Sequence, residues 1–216
     1  ILANYREAAD TLLMDGCTPW DIDAAMTDFG YAMGPYEAQD LSGLDIAHAN
    51  RRRQDNTRDP ARRYIPIADH VVMAGRLGRK TGAGWYKYPA NGGKDIDPVI
   101  ETMILEAAAS AGVSRRTFSP SDIQNRLVLA MINEAANILF DGIAATVADV
   151  DLVLVHGYGF PRWRGGLLYY ADKIGADKLV AMLHMCAAED PVFWQPSPVI
   201  IDCAETKISL AQWRRL

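Results

Sequence analysis

One order of punctuation occurs twice along this chain, and no other feature constrains its fold as tightly. In the first half, Glu7-Ala8-Ala9 leads to Asp15-Gly16, then to Thr18 with Asp21 and Asp23, then to Gly30-Tyr31 and a proline. In the second half, Glu134-Ala135-Ala136 leads to Asp141-Gly142, then to Thr146 with Asp149 and Asp151, then to Gly157-Tyr158 and again a proline. One residue of slippage aligns the blocks. Any two helical hairpins share caps and glycine stops, but agreement in order, spacing and identity over about 30 positions favours duplication of one module. Two copies make a pair of packed units, not a solenoid.

Each block reads as helix. Leu2, Tyr5, Ala9, Leu12 and Leu13 share one face, and Gly16 suits the left-handed position after a helix. Thr18-Pro19-Trp20-Asp21 then offers an N-cap, a proline at the first helical position and a first-turn carboxylate. Ile22, Ala25, Met26 and Phe29 form the buried stripe of that helix, which Gly30 ends. Gly34-Pro35 opens a helix through Asp40 that breaks at Gly43 and resumes at Leu44. Further helices are expected over Pro66–Ala74, from Pro98 to about Ala111, from Ser119-Pro120-Ser121-Asp122 to Gly142, and from a Thr146 cap to Gly157. Only Trp85-Tyr86-Lys87-Tyr88 reads as extended. The expected fold is therefore all-α, with two repeated helical domains. The linker-like run Pro89-Ala90-Asn91-Gly92-Gly93-Lys94 sets their bounds at 1–94 and 95–216.

Composition excludes several classes of function. A net charge of −5, with no basic patch interleaved with aromatics, leaves no footprint for nucleic acid. No apolar run approaches the roughly 18 residues that span a bilayer. Cys17, Cys186 and Cys203 are odd in number and widely spaced, which argues against a disulfide framework and fits a reducing, cytoplasmic setting. The four histidines show no ligand spacing, so no metal is expected. Ile1 falls inside a helical pattern with no capping residue before it, and the natural start of that helix is expected upstream.

Candidate chemistry is sparse. The loop Gly75–Gly84 contains Gly78-Arg79-Lys80-Thr81, a faint echo of a phosphate loop, but no strand precedes it and no helix follows. A dinucleotide or triphosphate cradle is rejected. Arg76, Arg79 and Lys80 could still approach the phosphates of a bulky anion, although a solvated or ion-paired loop is the simpler reading. His156 sits at a helix end, where a positive charge complements the dipole, and His48, His70 and His184 show no obvious partners. Asp21 with Asp23, and Asp149 with Asp151, point to different helix faces and read as first-turn acids. Met33-Gly34-Pro35 and Phe160-Pro161 each bring an apolar side chain to a rigid bend, which suits either the rim of an acyl pocket or a packed helix corner.

Three blocks together resemble the C-terminal region of the L-3-hydroxyacyl-CoA dehydrogenase family. They are Gly30-Tyr31-Ala32-Met33-Gly34-Pro35-Tyr36 with Asp40-Leu41-Ser42-Gly43-Leu44-Asp45; Gly75 through Gly84 with Trp85-Tyr86; and Gly159-Phe160-Pro161-Arg162-Trp163-Arg164-Gly165-Gly166 with Tyr170-Ala171-Asp172. Tyr36, Arg162 and Trp163 depart from the family's Phe, Pro and Phe. The resemblance covers almost the whole chain, and the doubled domain is similar to multifunctional fatty-acid oxidation enzymes that also carry an enoyl-CoA hydratase domain. It implies a 6-phosphogluconate dehydrogenase C-terminal-domain-like fold and NAD⁺-dependent oxidation of L-3-hydroxyacyl-CoA to 3-ketoacyl-CoA. It also implies that NAD and a catalytic His–Glu pair belong to an upstream nucleotide-binding domain, so no catalytic residue maps onto this chain. Asn125-Arg126 is the second copy's counterpart of the family's helix-opening Asn-Arg and is expected to be structural. Met33, Gly34 and Pro35 are the expected acyl-pocket residues, with Arg79 and Lys80 toward the phosphates. The implied partners are acyl-CoA, the upstream domains, and a thiolase subunit or a second copy. A stand-alone helical dimerisation or binding module is the rival reading. A helical domain from a dehydrogenase of 6-phosphogluconate or small hydroxy acids is a third.

Overall fold

The computed structural model describes residues 1–215. Among them are eleven α-helices: α1 (Leu2–Asp15), α2 (Pro19–Phe29), α3 (Pro35–Ser42), α4 (Leu44–Gln54), α5 (Ile67–Met73), α6 (Pro98–Ser110), α7 (Pro120–Phe140), α8 (Val147–Gly157), α9 (Leu167–Ile174), α10 (Ala176–Ala187) and α11 (Pro198–Thr206). Single 3₁₀ turns cover Arg79–Thr81 and Arg162–Arg164. The all-α expectation holds. The aromatic run that reads as extended forms no strand; isolated antiparallel bridges join Gly78 to Ala83, Ala83 to Lys87 and Lys87 to Asp95.

Local chemistry explains the helix starts. Thr18 and Thr146 each accept the backbone N–H three residues on, while Asp21 and Asp149 accept the N–H of the capping threonine. Ser119 and Asp122 exchange the same two bonds before α7. Such reciprocal caps satisfy donors that a helix start leaves orphaned, at about 1 kcal/mol each. Proline opens α2, α3, α6, α7 and α11, where its missing N–H costs nothing.

The chain forms two compact units. The first is Arg6–Gln124; the second is Ile1–Tyr5 with Asn125–Leu216. In the first, α2 packs on α3, α3 on α4, α4 on α5 and α5 on α6. Leu12, Ile22, Met26, Tyr36, Leu44 and Trp85 are among its fully buried side chains. In the second, α8 packs on α9, α9 on α10 and α10 on α11, with Phe160, Leu167, Leu183, Trp194 and Ile200 buried. Each such side chain contributes about 1.5–3 kcal/mol of burial.

Residues 95–124 lie in the first unit, although the linker composition of 89–94 puts a domain bound before them. The contacts show why. The Arg115 guanidinium donates to the carbonyls of Leu13, Met14 (3.1 Å) and Cys17 (3.1 Å) at the end of α1. The Arg116 N–H donates to Asp15 O at 2.8 Å, and Gln124 Nε2 to Ala25 O at 2.8 Å. Arg115 thereby serves carbonyls that the last turn of a helix leaves unpaired.

Candidate functional site

The Met33-Gly34-Pro35 turn is held in place by a buried carboxylate on the preceding helix. Asp23, in α2, is 4% exposed. Its Oδ1 accepts the Tyr36 N–H at 2.9 Å, and its Oδ2 accepts the Glu37 N–H at 2.9 Å and the Tyr86 hydroxyl at 2.8 Å. A side chain from one helix thus caps the start of the next. Gly34 makes that approach possible, because a Cβ there would lie 2.3 Å from the Asp23 Cα. Burial pushes the Asp23 carboxyl up to about 6, against the opposing pull of the Tyr36 N–H, the Tyr86 hydroxyl, the Glu37 N–H and Lys94.

A second buried carboxylate holds the glycine-rich loop. Asp40, at 1% exposure, accepts the Trp85 N–H on Oδ1 at 2.9 Å, and the Tyr86 N–H and Tyr88 hydroxyl on Oδ2 at 3.0 and 2.9 Å. Gly78 and Gly84 press on it: a Cβ at Gly78 would lie 2.3 Å from Asp40 O, and one at Gly84 would lie 1.9 Å from Asp40 Oδ1. The glycines therefore make room for a carboxylate of the chain itself. The basic residues of the loop meet acids of the same unit: Arg79 pairs with Glu37 at 3.0 Å, Lys80 with Asp45 at 2.5 Å and Arg76 with Asp97 at 2.8 Å.

The second unit repeats both clamps. Asp151, in α8, accepts the Leu168 and Tyr169 N–H groups at 2.7 and 3.0 Å, and a Cβ at Gly166 would lie 2.3 Å from its Cγ. Asp172 accepts the N–H groups of Leu210 and Ala211 at 2.6 and 3.2 Å. Asp23, Gly34, Asp40 and Gly43 are answered by Asp151, Gly166, Asp172 and Gly175. The counterpart of Gly34-Pro35 is therefore Gly166-Leu167. Phe160-Pro161, which the sequence reading aligns with it, lies ahead of the turn, because the glycine follows the carboxylate by fifteen positions in the second copy against eleven in the first.

The expected site residues fall in two places. Met33 is half-buried on the turn, while Gly34 and Pro35 are buried behind it. Arg79 and Lys80 stand in their ion pairs on the loop. Arg126 makes a two-pronged contact with Glu189, both arms 2.7 Å.

A cluster without a signature in the sequence lies on α1, α4 and α5. His48 Nδ1 is 2.9 Å from Asp69 Oδ1, which also accepts Arg51 Nε at 2.8 Å, and the Tyr64 hydroxyl donates to Oδ2. His48 therefore has a partner, 21 residues away, that no short spacing marks. Nearby, the Tyr36 hydroxyl donates to Asp10 at 3.1 Å. Burial pushes Asp10 up to about 7; Arg51 and the Tyr36 bond oppose it, and the charges of Glu7 and Asp69 add to it.

The glycine-rich loop of residues 75–84 does not fit a dinucleotide. Phosphate cradles use glycines to bring open backbone N–H groups to the ligand at a helix start, whereas Gly78 and Gly84 are packed on Asp40 and the loop leads into a single 3₁₀ turn. Among the described residues no helix is long and apolar enough to cross a membrane.

Comparison with known proteins gives this arrangement a family. The peroxisomal bifunctional enzyme of Danio rerio is 37% identical over 215 residues, which are 93% of this chain and 30% of that protein. The peroxisomal bifunctional enzyme of Cavia porcellus is 38% identical over 88% of this chain and 28% of its own length. This chain thus spans about 30% of the length of these relatives. Both names are peroxisomal, where the sequence reading expects a cytoplasmic setting. Among solved structures, the dehydrogenase part of multifunctional enzyme 1 from C. elegans shares the fold, with a TM-score of 0.72 at 24% identity over 93% of this chain and 45% of that one. The family described as 3-hydroxyacyl-CoA dehydrogenase, C-terminal domain, matches residues 1–88 and 123–207. The chain belongs to that family.

Proposed function

We propose that this chain is the C-terminal helical part of an NAD-dependent L-3-hydroxyacyl-CoA dehydrogenase of fatty-acid β-oxidation, and that it supplies a wall of the acyl pocket and packing surface, not catalytic groups. The observation that carries this is the turn at Met33. Asp23 fixes both backbone groups behind it, so a half-buried apolar side chain stands on a rigid support, as a pocket wall requires. Gly34 and Pro35 set the bend. Arg79 and Lys80, paired with Glu37 and Asp45, would exchange those acids for substrate phosphates.

The reaction of the whole enzyme removes hydride from the substrate's 3-hydroxyl carbon to NAD⁺. In our reading the cofactor and the His–Glu pair sit on a nucleotide-binding domain outside this chain, beside an enoyl-CoA hydratase domain, with a thiolase subunit or a second copy as further partner. We read the chain as two copies of one module, over 1–94 and 95–216, bounds that differ from those of the two compact units; the two family-matched segments and the recurring clamps support the duplication. The three cysteines are buried and unbridged, which suits a reducing interior, cytoplasmic or peroxisomal.

Kinetics of the full-length enzyme test the assignment. Met33→Ala is expected to lower kcat/KM for a long-chain 3-hydroxyacyl-CoA on the order of tenfold, as removal of several apolar pocket atoms does, with little change for a four-carbon substrate. Equal effects on both substrates would remove Met33 from the pocket.

A further inference from the structure

The two units share their carboxylate clamps but differ in the groups that complete them, and in the second unit a cavity lies beside both carboxylates. In the first unit, Trp85 and Tyr86 give their N–H groups to Asp40, and the hydroxyls of Tyr86 and Tyr88 complete Asp23 and Asp40. In the second unit, Leu210 and Ala211 give the matching N–H groups to Asp172. That register sets Ala211 against Tyr86 and Trp213 against Tyr88. Ala211 has no ring or hydroxyl to offer Asp151. Trp213 turns its Nε1 to Asp202 at 2.8 Å, away from Asp172. Both second-unit carboxylates therefore keep their backbone donors and lack the hydroxyl that their counterparts accept.

A cavity of about 450 Å³ opens where those groups would be, lined among others by Asp151, Asp172, Ala211, Leu210, Ala148 and Trp213. Its size falls within the range of small-molecule sites, and its lining sets apolar side chains beside Asp151, Asp172 and the basic Arg214 and Arg215. We propose that this cavity binds a small phenolic compound. The ring fills the place that Tyr86 takes in the first unit, and the hydroxyl donates to Asp151. The class follows from the register, since an aromatic ring carrying one hydroxyl is what the second copy lacks. An engineered apolar cavity in another protein takes up a small aromatic ring from solution. An Asp carboxylate is the stronger kind of acceptor for the hydroxyl.

The test is a titration of the ¹⁵N-labelled whole chain with p-cresol, the tyrosine side chain in isolation, and with toluene, which lacks the hydroxyl. The expected result is saturable movement of the Leu168, Tyr169 and Ala211 amide signals by p-cresol, with toluene weaker by about tenfold or more for want of the hydrogen bond. Ala211→Tyr, which restores the first unit's residue, is expected to abolish p-cresol binding and raise the melting temperature. Ala148→Trp, an exposed residue on the cavity wall, is expected to block binding without touching either carboxylate. Equal affinity for toluene, unsaturable shifts, or p-cresol binding that survives both substitutions would overturn the proposal.

Discussion

Gly34→Ala should be among the most damaging single-methyl additions in the first unit. The glycine has ordinary helix-entry dihedrals, φ −78° and ψ 174°, so backbone strain is not the reason. The reason is space. A Cβ at Gly34 would stand 2.3 Å from the Cα, 2.3 Å from Oδ1 and 2.5 Å from the Cβ of Asp23, where carbon atoms need about 3.5 Å or more. Backbone cannot swing aside as a side chain can, so α2 and α3 must separate by about 1 Å. That shift stretches the bonds from Tyr36 N and Glu37 N to Asp23, both 2.9 Å, past useful length. Overpacking at about 1–3 kcal/mol and two lost bonds at about 1 kcal/mol each give a loss of about 3–5 kcal/mol. For a unit of this size that lowers the melting temperature by roughly 10–20 °C. Thermal unfolding followed by circular dichroism measures it, and hydrogen exchange at Tyr36 and Glu37 locates it. Gly92→Ala is the control: nothing lies within 4 Å of it, but its φ of +91° costs about 1–2 kcal/mol. A Gly34→Ala protein as stable as that control would refute the steric argument.

Other outcomes follow from the same geometry. Tyr86→Phe removes one bond from Asp23 and should cost about 1–2 kcal/mol; it should also move the Asp23 carboxyl above its value of about 6, measurable by carbon-detected NMR titration. Asp10 and Asp23 titrate near 7 and 6 in the fold against 3.8 ordinarily. The folded chain therefore holds protons that the unfolded chain has released, and their contribution to stability is complete below about pH 4 and lost as pH rises to 7. For Asp23 the rise corresponds to about 3 kcal/mol. Asp10→Asn, which keeps an acceptor for Tyr36, should gain stability relative to the parent between pH 4.5 and 7.5 in urea titrations; a constant difference would contradict this. Lys80→Ala should leave the melting temperature unchanged, since the pair with Asp45 is exposed on both sides, while the Asp45 carboxyl, now held low by Lys80, returns upward.

The sequence shows its helix starts plainly because caps are local. Thr18 with Asp21 and Thr146 with Asp149 lie three residues apart, and the bonds they make are the ones that spacing predicts. Asp23 and Asp151 escape the same reading. As helix residues they resemble first-turn acids, yet their backbone partners lie 13 to 18 residues on, and only the packing of α2 on α3 and α8 on α9 identifies them. Their glycine partners were visible as glycines but not as contacts. The helices α9 and α10 carry no local start signal, because glycines precede them and no side chain caps them; the N-terminal donors of α9 are served from a distance by Asp151. The adjacent arginine and lysine of the basic loop allow an anion site as well as the simpler solvated or ion-paired reading, and spacing cannot name the paired acids because Glu37 and Asp45 are 42 and 35 residues away.

The central claim is that this chain provides walls and packing while the reacting groups belong to another domain. Incubating the purified chain with acetoacetyl-CoA and NADH, and following absorbance loss of NADH, tests it directly. The account predicts no turnover above background from the chain alone, with activity appearing only when the nucleotide-binding domain is present. Turnover by residues 1–216 alone would place catalytic groups within these helices and contradict the account.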